Sequence, residues 1–415
     1  MAVSRITKSV VEVLGADSYD QAAEIRREDV DFILPDSGPD GLEIMVQSAA
    51  ALVLRCFTGR LRVHGAETVE LRALIQDEAR KMNALDRLEF GSRSMGPWML
   101  AFGCKRYGAI CGDASGWTAR INDTFKERLP AGCAATFAAA CMVGKLFNVA
   151  ILKRDRDAHE AWDFCLSSFT SDKGARVRSQ EVVDLGRVGI LGAGALGSAV
   201  GFVLLRSRAK ADVIVMDPQS FDDPNLETCI LADILAVNGP RKKAIHLAEV
   251  LKLGGIEARA ELQRVEAGND LLKLRWNGFV CGVDNPETRR MLDETNTRVL
   301  LNAGLGDSKE DAGFVLWTRH LEGGAPLSEL YSAARSGVRP QEVKNVGAVP
   351  KEFREECTRM AYQGVSLSIP FAALAAGSLL VAGLYHEARD EAPVDNYLQM
   401  DLFGKQSRYL RRLRG

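Results

Sequence analysis

The sequence predicts an α/β protein of Rossmann-like type, built as one complete nucleotide-binding unit and one degenerate copy of it. Three observations carry this. Residues 188–198, VGILGAGALGS, read as a buried strand, Val188–Leu191, that runs into the glycine series Gly192, Gly194 and Gly197 and then into a helix. A second strand, Val213–Met216, ends on the acidic residue Asp217. A long helix of small apolar residues occurs twice, at 131–152 (AGCAATFAAACMVGKLFNVAIL) and at 365–386 (VSLSIPFAALAAGSLLVAGLYH).

The glycine unit is the clearest element. Leu196, Ala199, Val200, Val203 and Leu204 follow the spacing of one buried helical face. Glycines at a strand-to-helix turn let the backbone approach a nucleotide phosphate, and the helix N-terminus adds donors and partial positive charge. The carboxylate of Asp217, one strand later, is placed to bond ribose hydroxyls, although capping the next element is the alternative use of such a residue.

Ahead of it, residues 1–30 are mixed and charged and read as an amphipathic helix plus an exposed arm containing Arg26 and Arg27. Residues 30–64 repeat the βαβ order faintly: strand Val30–Leu34, the turn PDSGPDG, helix Leu42–Phe57, strand Leu61–Val63. The turn keeps Gly38 and Gly41 but not the tight triple-glycine arrangement. A helix follows at 67–84, and the stretch 90–130, with Trp98 and Trp117, gives no assignable period. After Asp217 come the loop DPQSFDDPNLE, helix Arg241–Leu253, strand Ile256–Leu262, helix Asp270–Leu274 and strand Gly278–Val283. Helix Glu287–Thr297 and strand Val299–Asn302 complete an open parallel sheet. Phe314–Thr318 is expected to begin a further antiparallel layer, 322–364 is irregular, and an edge strand Tyr397–Leu402 precedes the basic end RYLRRLRG.

Setting Phe137 against Phe371 aligns Ala138, Ala139 and Cys141 with Ala372, Ala373 and Ala375. Alanine-rich buried helices resemble one another anyway, so the helix alone does not decide. The shared order of strand-turn-helix, middle region and small-residue helix favours duplication. The expected division is 1–175 and 180–415, with the polar segment 171–181 between them.

Bulk properties limit the function classes. A chain of 415 residues fits two or three domains at about 150 residues each. With 47% hydrophobic and 26% charged residues it is globular, and a net charge of −2 argues against general nucleic-acid binding. Nine cysteines without a CxxC pair argue against a paired-cysteine zinc site and suit a reducing compartment. The N-terminus lacks a secretory pattern, and Ser366, Ser368, Pro370 and Gly377 punctuate the apolar run at 365–386, so a buried helix fits better than a membrane span. The expectation is a cytoplasmic protein without membrane or nucleic-acid partners.

Four residues beyond the glycines bear on the ligand: Asp217, Asn225 in PNLE, Lys242 in NGPRKKA, and Asp284 in CGVDN. Open α/β sheets bind ligands outside the C-terminal strand ends. Nucleotidyl transfer needs a cation on the phosphates and a carboxylate for magnesium; hydride transfer needs neither. The set therefore suits ATP with Mg2+ better than NAD. Each residue also has a plainer reading: Asn225 as a turn former beside Pro224, Lys242 as part of a solvated run with Arg241 and Lys243, Asp284-Asn285 as a helix cap.

Taken together these motifs resemble the ThiF/MoeB family and the adenylation domain of ubiquitin-activating enzymes. The pattern stands as Gly192-Ala193-Gly194-Ala195-Leu196-Gly197, Asp217, Asn225-Leu226, Gly239 to Lys242, and Asp284-Asn285, over residues 187–302. The resemblance implies a ThiF-type adenylation domain acting with Mg-ATP on the C-terminal carboxylate of a ubiquitin-like protein. It implies that Gly192, Gly194 and Gly197 shape the pocket, Asp217 holds ribose, Asn225 and Lys242 contact phosphate, and Asp284 binds magnesium. The family commonly has arginine at the position of Thr228 and a second aspartate at that of Gln219, so one phosphate-binding cation is missing. Arg26 or Arg27 of the first half is the expected replacement. Many members pass the acyl group to a cysteine lying before the long helix. Cys357, in REECTRMA within the segment 322–365, fits that place, with Arg354 and Arg359 favouring a thiolate and Glu355 and Glu356 opposing it. Cys281 and Cys229 read as packing residues.

A degenerate first half matches ubiquitin-activating enzymes and the activating enzymes of bacterial ubiquitin-like (Bil-type) defence operons, which pair an inactive half with an active one. The expected partners are a ubiquitin-like protein with a free C-terminus and a conjugating enzyme, and the expected assembly is a monomeric pseudo-dimer or a homodimer. Sulfur-carrier activation, NAD-dependent oxidoreduction and a non-catalytic binding scaffold are the alternatives.

Overall fold

The computed structural model describes residues 4, 6–7, 10, 19–36, 41–65, 68–91, 94–154, 159–171, 179–266, 269–283, 292, 295–305, 313–321, 369–391 and 397–403. The first half runs α1 (Tyr19–Ile25), β1 (Val30–Ile33), α2 (Glu43–Cys56), β2 (Leu61–His64), α3 (Val69–Lys81), β3 (Leu88–Phe90), β4 (Met99–Phe102), β5 (Ile110–Ser115), β6 (Thr118–Ile121), α4 (Gly132–Ala150) and β7 (Trp162–Cys165). The second runs β8 (Val183–Leu191), α5 (Ala195–Leu204), β9 (Ala209–Met216), α6 (Asn225–Thr228), α7 (Ile234–Asn238), α8 (Lys243–Leu253) and β10 (Glu257–Glu261). It continues through α9 (Asp270–Lys273), β11 (Gly278–Cys281), β12 (Val299–Leu305), β13 (Phe314–Leu321), α10 (Pro370–Ala388) and β14 (Tyr397–Asp401).

Each half builds a seven-stranded sheet, and the two sheets have one topology. The orders are β3-β2-β1-β4-β5-β6-β7 and β10-β9-β8-β11-β12-β13-β14. In both, the first five strands are parallel and the last two antiparallel. In both, the small-residue helix lies between the sixth and seventh strands, so α4 and α10 occupy equivalent places. The strand order reverses between β1 and β4 and between β8 and β11, the switch points where such sheets take ligands. β13 does not begin a separate layer, as its sequence suggested; it pairs with β12 and extends the same sheet. The unassigned stretch 90–130 contains β4, β5 and β6, each of six residues or fewer, too short to show a period.

The halves join through helices. α10 packs on both α5 and α4, and α4 packs on α2, giving a row α2-α4-α10-α5 that is pseudo-symmetric about the α4/α10 contact. These helices are apolar on nearly every side because they are covered on nearly every side. By length and composition α4 and α10 could each cross a membrane; here both are buried in the shared core. Their small residues allow close approach. A Cβ on Gly377 would lie 2.9 Å from the Ala199 carbonyl carbon, and one on Gly144 would lie 3.1 Å from the Phe371 ring. Within this apolar layer the hydroxyls of Thr136 and Ser378 satisfy each other at 2.9 Å. Gln180, at the end of the charged connecting segment, is fully buried and ties the halves: its amide nitrogen donates to Ser207 O (2.8 Å) and its Oε1 accepts from Cys133 N–H (3.0 Å).

Candidate nucleotide site

The site starts at the end of β8. Gly192 has φ +89°, a left-handed conformation that favours glycine, and its N–H donates to Met216 O at 2.9 Å. Gly197 is required for contact: a Cβ there would lie 1.9 Å from the Gly192 carbonyl oxygen. Gly282, at the end of β11, is packed against the same turn, with its Cβ position 3.3 Å from Leu191 O and 3.4 Å from Gly192 O. Gly194 differs. It caps α5 with φ −73°, and beyond its own local backbone and chain neighbours no described atom lies within 4 Å of where its Cβ would stand. The first helical hydrogen bond is Ser198 N–H to Gly194 O, 2.9 Å, so the N–H groups of Ala195, Leu196 and Gly197 have no acceptor within α5. Open space before a helix N-terminus suits a phosphate.

Asp217 holds this turn from the next strand. It is buried; Oδ2 accepts from Ala193 N–H at 2.7 Å and Oδ1 from Gln219 N–H at 2.8 Å. The carboxylate thus fixes the glycine turn itself, and each oxygen keeps a lone pair for a ribose hydroxyl.

The loop after Asp217 folds back on the start of α8. Phe221 N–H donates to Arg241 O (3.0 Å), Lys243 N–H donates to Gln219 O (3.0 Å), and Ser220 pairs with Lys242 as an antiparallel bridge. This brings together residues some two dozen positions apart in sequence. Lys242 Nζ, partly exposed, donates to the carbonyl of Pro218 at 2.7 Å, one residue from Asp217. Lys243 is buried, with Nζ 3.1 Å from Gln219 Oε1. The run Arg241-Lys242-Lys243 is therefore no uniform solvated face: its second lysine is buried against the residue standing where the family has an aspartate.

Asn225 is buried and its Oδ1 accepts from Asp222 N–H at 3.0 Å, so the turn-forming role is realised in this structure. Thr228 is buried, its hydroxyl donating to Pro224 O at 3.2 Å.

Arg26 does not belong to an exposed arm. It is buried, donates from Nε to Cys56 O (3.0 Å) and from its terminal nitrogens to Arg55 O (2.6 Å), Thr7 Oγ1 (2.8 Å) and Glu227 Oε1 (3.0 Å). It reaches the second half, but its donors are committed to protein acceptors, because a guanidinium buried among apolar residues is tolerated only when paired. Arg27 is exposed and pairs with Glu24 at 2.7 Å. Sequence reasoning missed Arg55, a fully buried arginine on α2 that donates to Ile230 O (2.8 Å) and Ala232 O (3.0 Å) of the second half. Its signal was present: one charge in the otherwise apolar run AAALVLRC implies a paired, buried cation.

Asp284 and Cys357 lie outside the described residues, as does the segment 322–365 assigned to the cysteine. Among the described residues no group of three or more His, Cys, Asp or Glu is placed to hold a metal ion. Eight cysteines are described, none of them in a disulfide; Cys229 and Cys281 are buried, in keeping with packing roles. Only Cys104 among the eight is less than buried, and partial burial pushes its thiol up.

Residues 186–391 match the family model described as the BilD C-terminal domain. This stretch, just under half of the chain, is similar to the BilD C-terminal domain family. The BilD-type half thus contains the glycine turn, Asp217, the 217–233 loop, α8 and α10. No curated protein matches the chain. Solved structures that do match include E. coli MccB (15% identity, TM-score 0.37, 52% of this chain and 59% of that one). They also include E. coli MccB with MccA-N7isoASN (16%, 0.39, 52% and 61%) and with ATP (15%, 0.36, 52% and 60%). The chain thus spans about three fifths of the length of each. At such scores these neighbours add nothing to the topology already described.

Proposed function

We propose that the chain activates the C-terminus of a ubiquitin-like protein with ATP at the second-half glycine turn, and then holds it as a thioester on Cys357 for a conjugating enzyme. The observation that carries the reading is the open position at Gly194 before the donors of α5, locked from behind by Asp217, within a BilD-type domain. In this reading the substrate's terminal carboxylate oxygen attacks the α-phosphorus of ATP. The bond from that phosphorus to the bridging oxygen breaks, and pyrophosphate leaves. The α5 N–H groups and Lys242 stabilise charge on the phosphates, with Lys242 leaving the Pro218 carbonyl to do so. Asp217 orients the ribose and Asp284 would hold magnesium, which supplies charge neutralisation when bound. The Cys357 thiolate then attacks the acyl carbon of the adenylate, AMP departs, and the thiol proton has gone to solvent base. The burial of seven of the eight described cysteines supports Cys357 as acceptor.

ATP–pyrophosphate exchange with candidate ubiquitin-like proteins tests this. Lys242→Ala should abolish exchange. Cys357→Ala should keep exchange and lose the reductant-sensitive thioester; a thioester retained in that variant excludes Cys357. Thr228, in place of the family arginine, favours one rival, a binding scaffold, which predicts partner binding with no exchange at all.

A further inference from the structure

We propose that Arg55 of the first half is a positioning residue for the nucleotide loop of the second, holding residues 225–232 in register with the glycine helix. The geometry is a three-sided clamp on Ile230, Leu231 and Ala232. From the first half, one terminal nitrogen of Arg55 donates to Ile230 O (2.8 Å) and Ala232 O (3.0 Å). From α5, the helix that follows the glycine turn, Ser198 Oγ accepts from Leu231 N–H (2.9 Å). From α8, the helix that follows Lys242, His246 Nε2 is 2.9 Å from Leu231 O. The loop carrying Asn225 is thereby referenced at one point to α2 of the first half and to α5 and α8, the two helices that flank the site.

Arg55 is itself held. Its other terminal nitrogen donates to Ala51 O, one turn back on α2, at 2.9 Å. Arg26 caps the end of α2 through the carbonyls of Arg55 and Cys56 and continues to Glu227 on α6, immediately beside Thr228. The loop is bolted to the first half at both ends of 227–232. Burial pushes the Arg55 guanidinium down from its usual value. A cation kept in such a place needs its acceptors, and the acceptors need it: two buried carbonyls would otherwise lose their partner. The geometry stands without any assignment of function; its consequence for catalysis rests on the adenylation reading above.

The test uses the full chain, with wild type, Arg55→Met, Arg55→Lys and Glu227→Gln. Hydrogen–deuterium exchange reads the loop directly. Arg55→Met should speed exchange of the 225–233 amides by on the order of tenfold, while amides of 183–191 stay protected. Lysine should restore part of the protection, since one ammonium can reach one carbonyl. In pyrophosphate exchange Arg55→Met should raise the KM for ATP by about tenfold and change kcat by less than about threefold, a split that a general loss of stability would not give. Glu227→Gln, at the partly exposed end of the Arg26 link, should show the same pattern reduced to about twofold, and it carries the test if Arg55→Met does not fold. Unchanged 225–233 exchange in these folded variants overturns the inference. If the wild type shows no ATP–pyrophosphate exchange, the adenylation reading fails while the amide exchange still decides the role of Arg55.

Discussion

The two halves share a topology and differ at the switch point. Equivalent bonds fix the correspondence: Leu34 N–H donates to His64 O and Gly192 N–H to Met216 O, each at 2.9 Å. Leu34 therefore stands for Gly192, and the next residue of each second strand pairs Gly65 with Asp217. Gly65 has φ +101°, and a Cβ there would lie 2.4 Å from Leu34 O, so this position cannot carry a carboxylate without moving the strand end. Strand register matches Ala101 with Cys281, hence Phe102 with Gly282. The glycine turn packs where a Gly282 Cβ would be, whereas the Phe102 ring packs edge-on to Phe32 at 4.8 Å and leaves no such seat. Continuing in sequence, the position of Asp284 is taken by Cys104. In place of an open position, the first half has Arg128, whose guanidinium lies 2.2 Å from the Cβ position of Gly103 and pairs with the fully buried Asp113 (2.8 Å). One fold thus supports two solutions. In one the switch point is kept open by glycine and a carboxylate; in the other it is filled from within by an ion pair.

The largest effect is expected from breaking that internal plug. In Arg128→Leu, Asp113 keeps its bonds from Ala114 N–H (2.8 Å) and Phe125 N–H (2.9 Å) but loses its countercharge. Asp113 is fully buried but Arg128 is partly exposed, so leaving the carboxylate unpaired costs about 3 kcal/mol, the low end of the range for buried pairs, and the denaturation midpoint should fall sharply. ATP affinity of the folded variant, measured by titration calorimetry, should stay as in wild type with one site per chain. A second site, or lost affinity at native conditions, would break the contrast between the halves.

Gly197→Ala is the next largest. A methyl 1.9 Å from a carbonyl oxygen forces α5 away from β8, an overpacking cost of about 1–3 kcal/mol. Stability and ATP binding should fall together, because the same displacement moves the N–H groups of α5. Retained ATP affinity at reduced stability would detach the helix terminus from nucleotide binding.

Much of this was legible before any coordinates. The glycine spacing, Asp217 at a strand end and the recurring small-residue helix report local geometry, which sequence encodes directly through φ, period and residue size. The strands of 90–130 were not legible because four-residue strands such as Met99–Phe102 are shorter than the window that reveals a period. The proximity of Lys242 to Asp217 depends on the 218–221 segment pairing with 241–243, a tertiary event. Arg26 read as surface because charge in a mixed segment usually is; its burial comes from acceptors on α2 and α6, distant in sequence.

The smallest effect, and the one that separates fold from site, is expected at Gly194. Its φ of −73° is open to alanine, and no described atom meets the added methyl. Gly194→Ala should therefore leave the denaturation midpoint within about 0.5 kcal/mol of wild type. The methyl would stand in the space before the α5 N-terminus, where a phosphate needs close approach of the backbone. ATP affinity should fall by about tenfold, equal to about 1.4 kcal/mol. The two glycine substitutions, three residues apart, then separate: alanine at 197 damages fold and binding together, alanine at 194 damages binding alone. A Gly194→Ala protein that binds ATP as wild type does would move the nucleotide away from this turn, and with it the reason the second half kept its glycines while the first half did not.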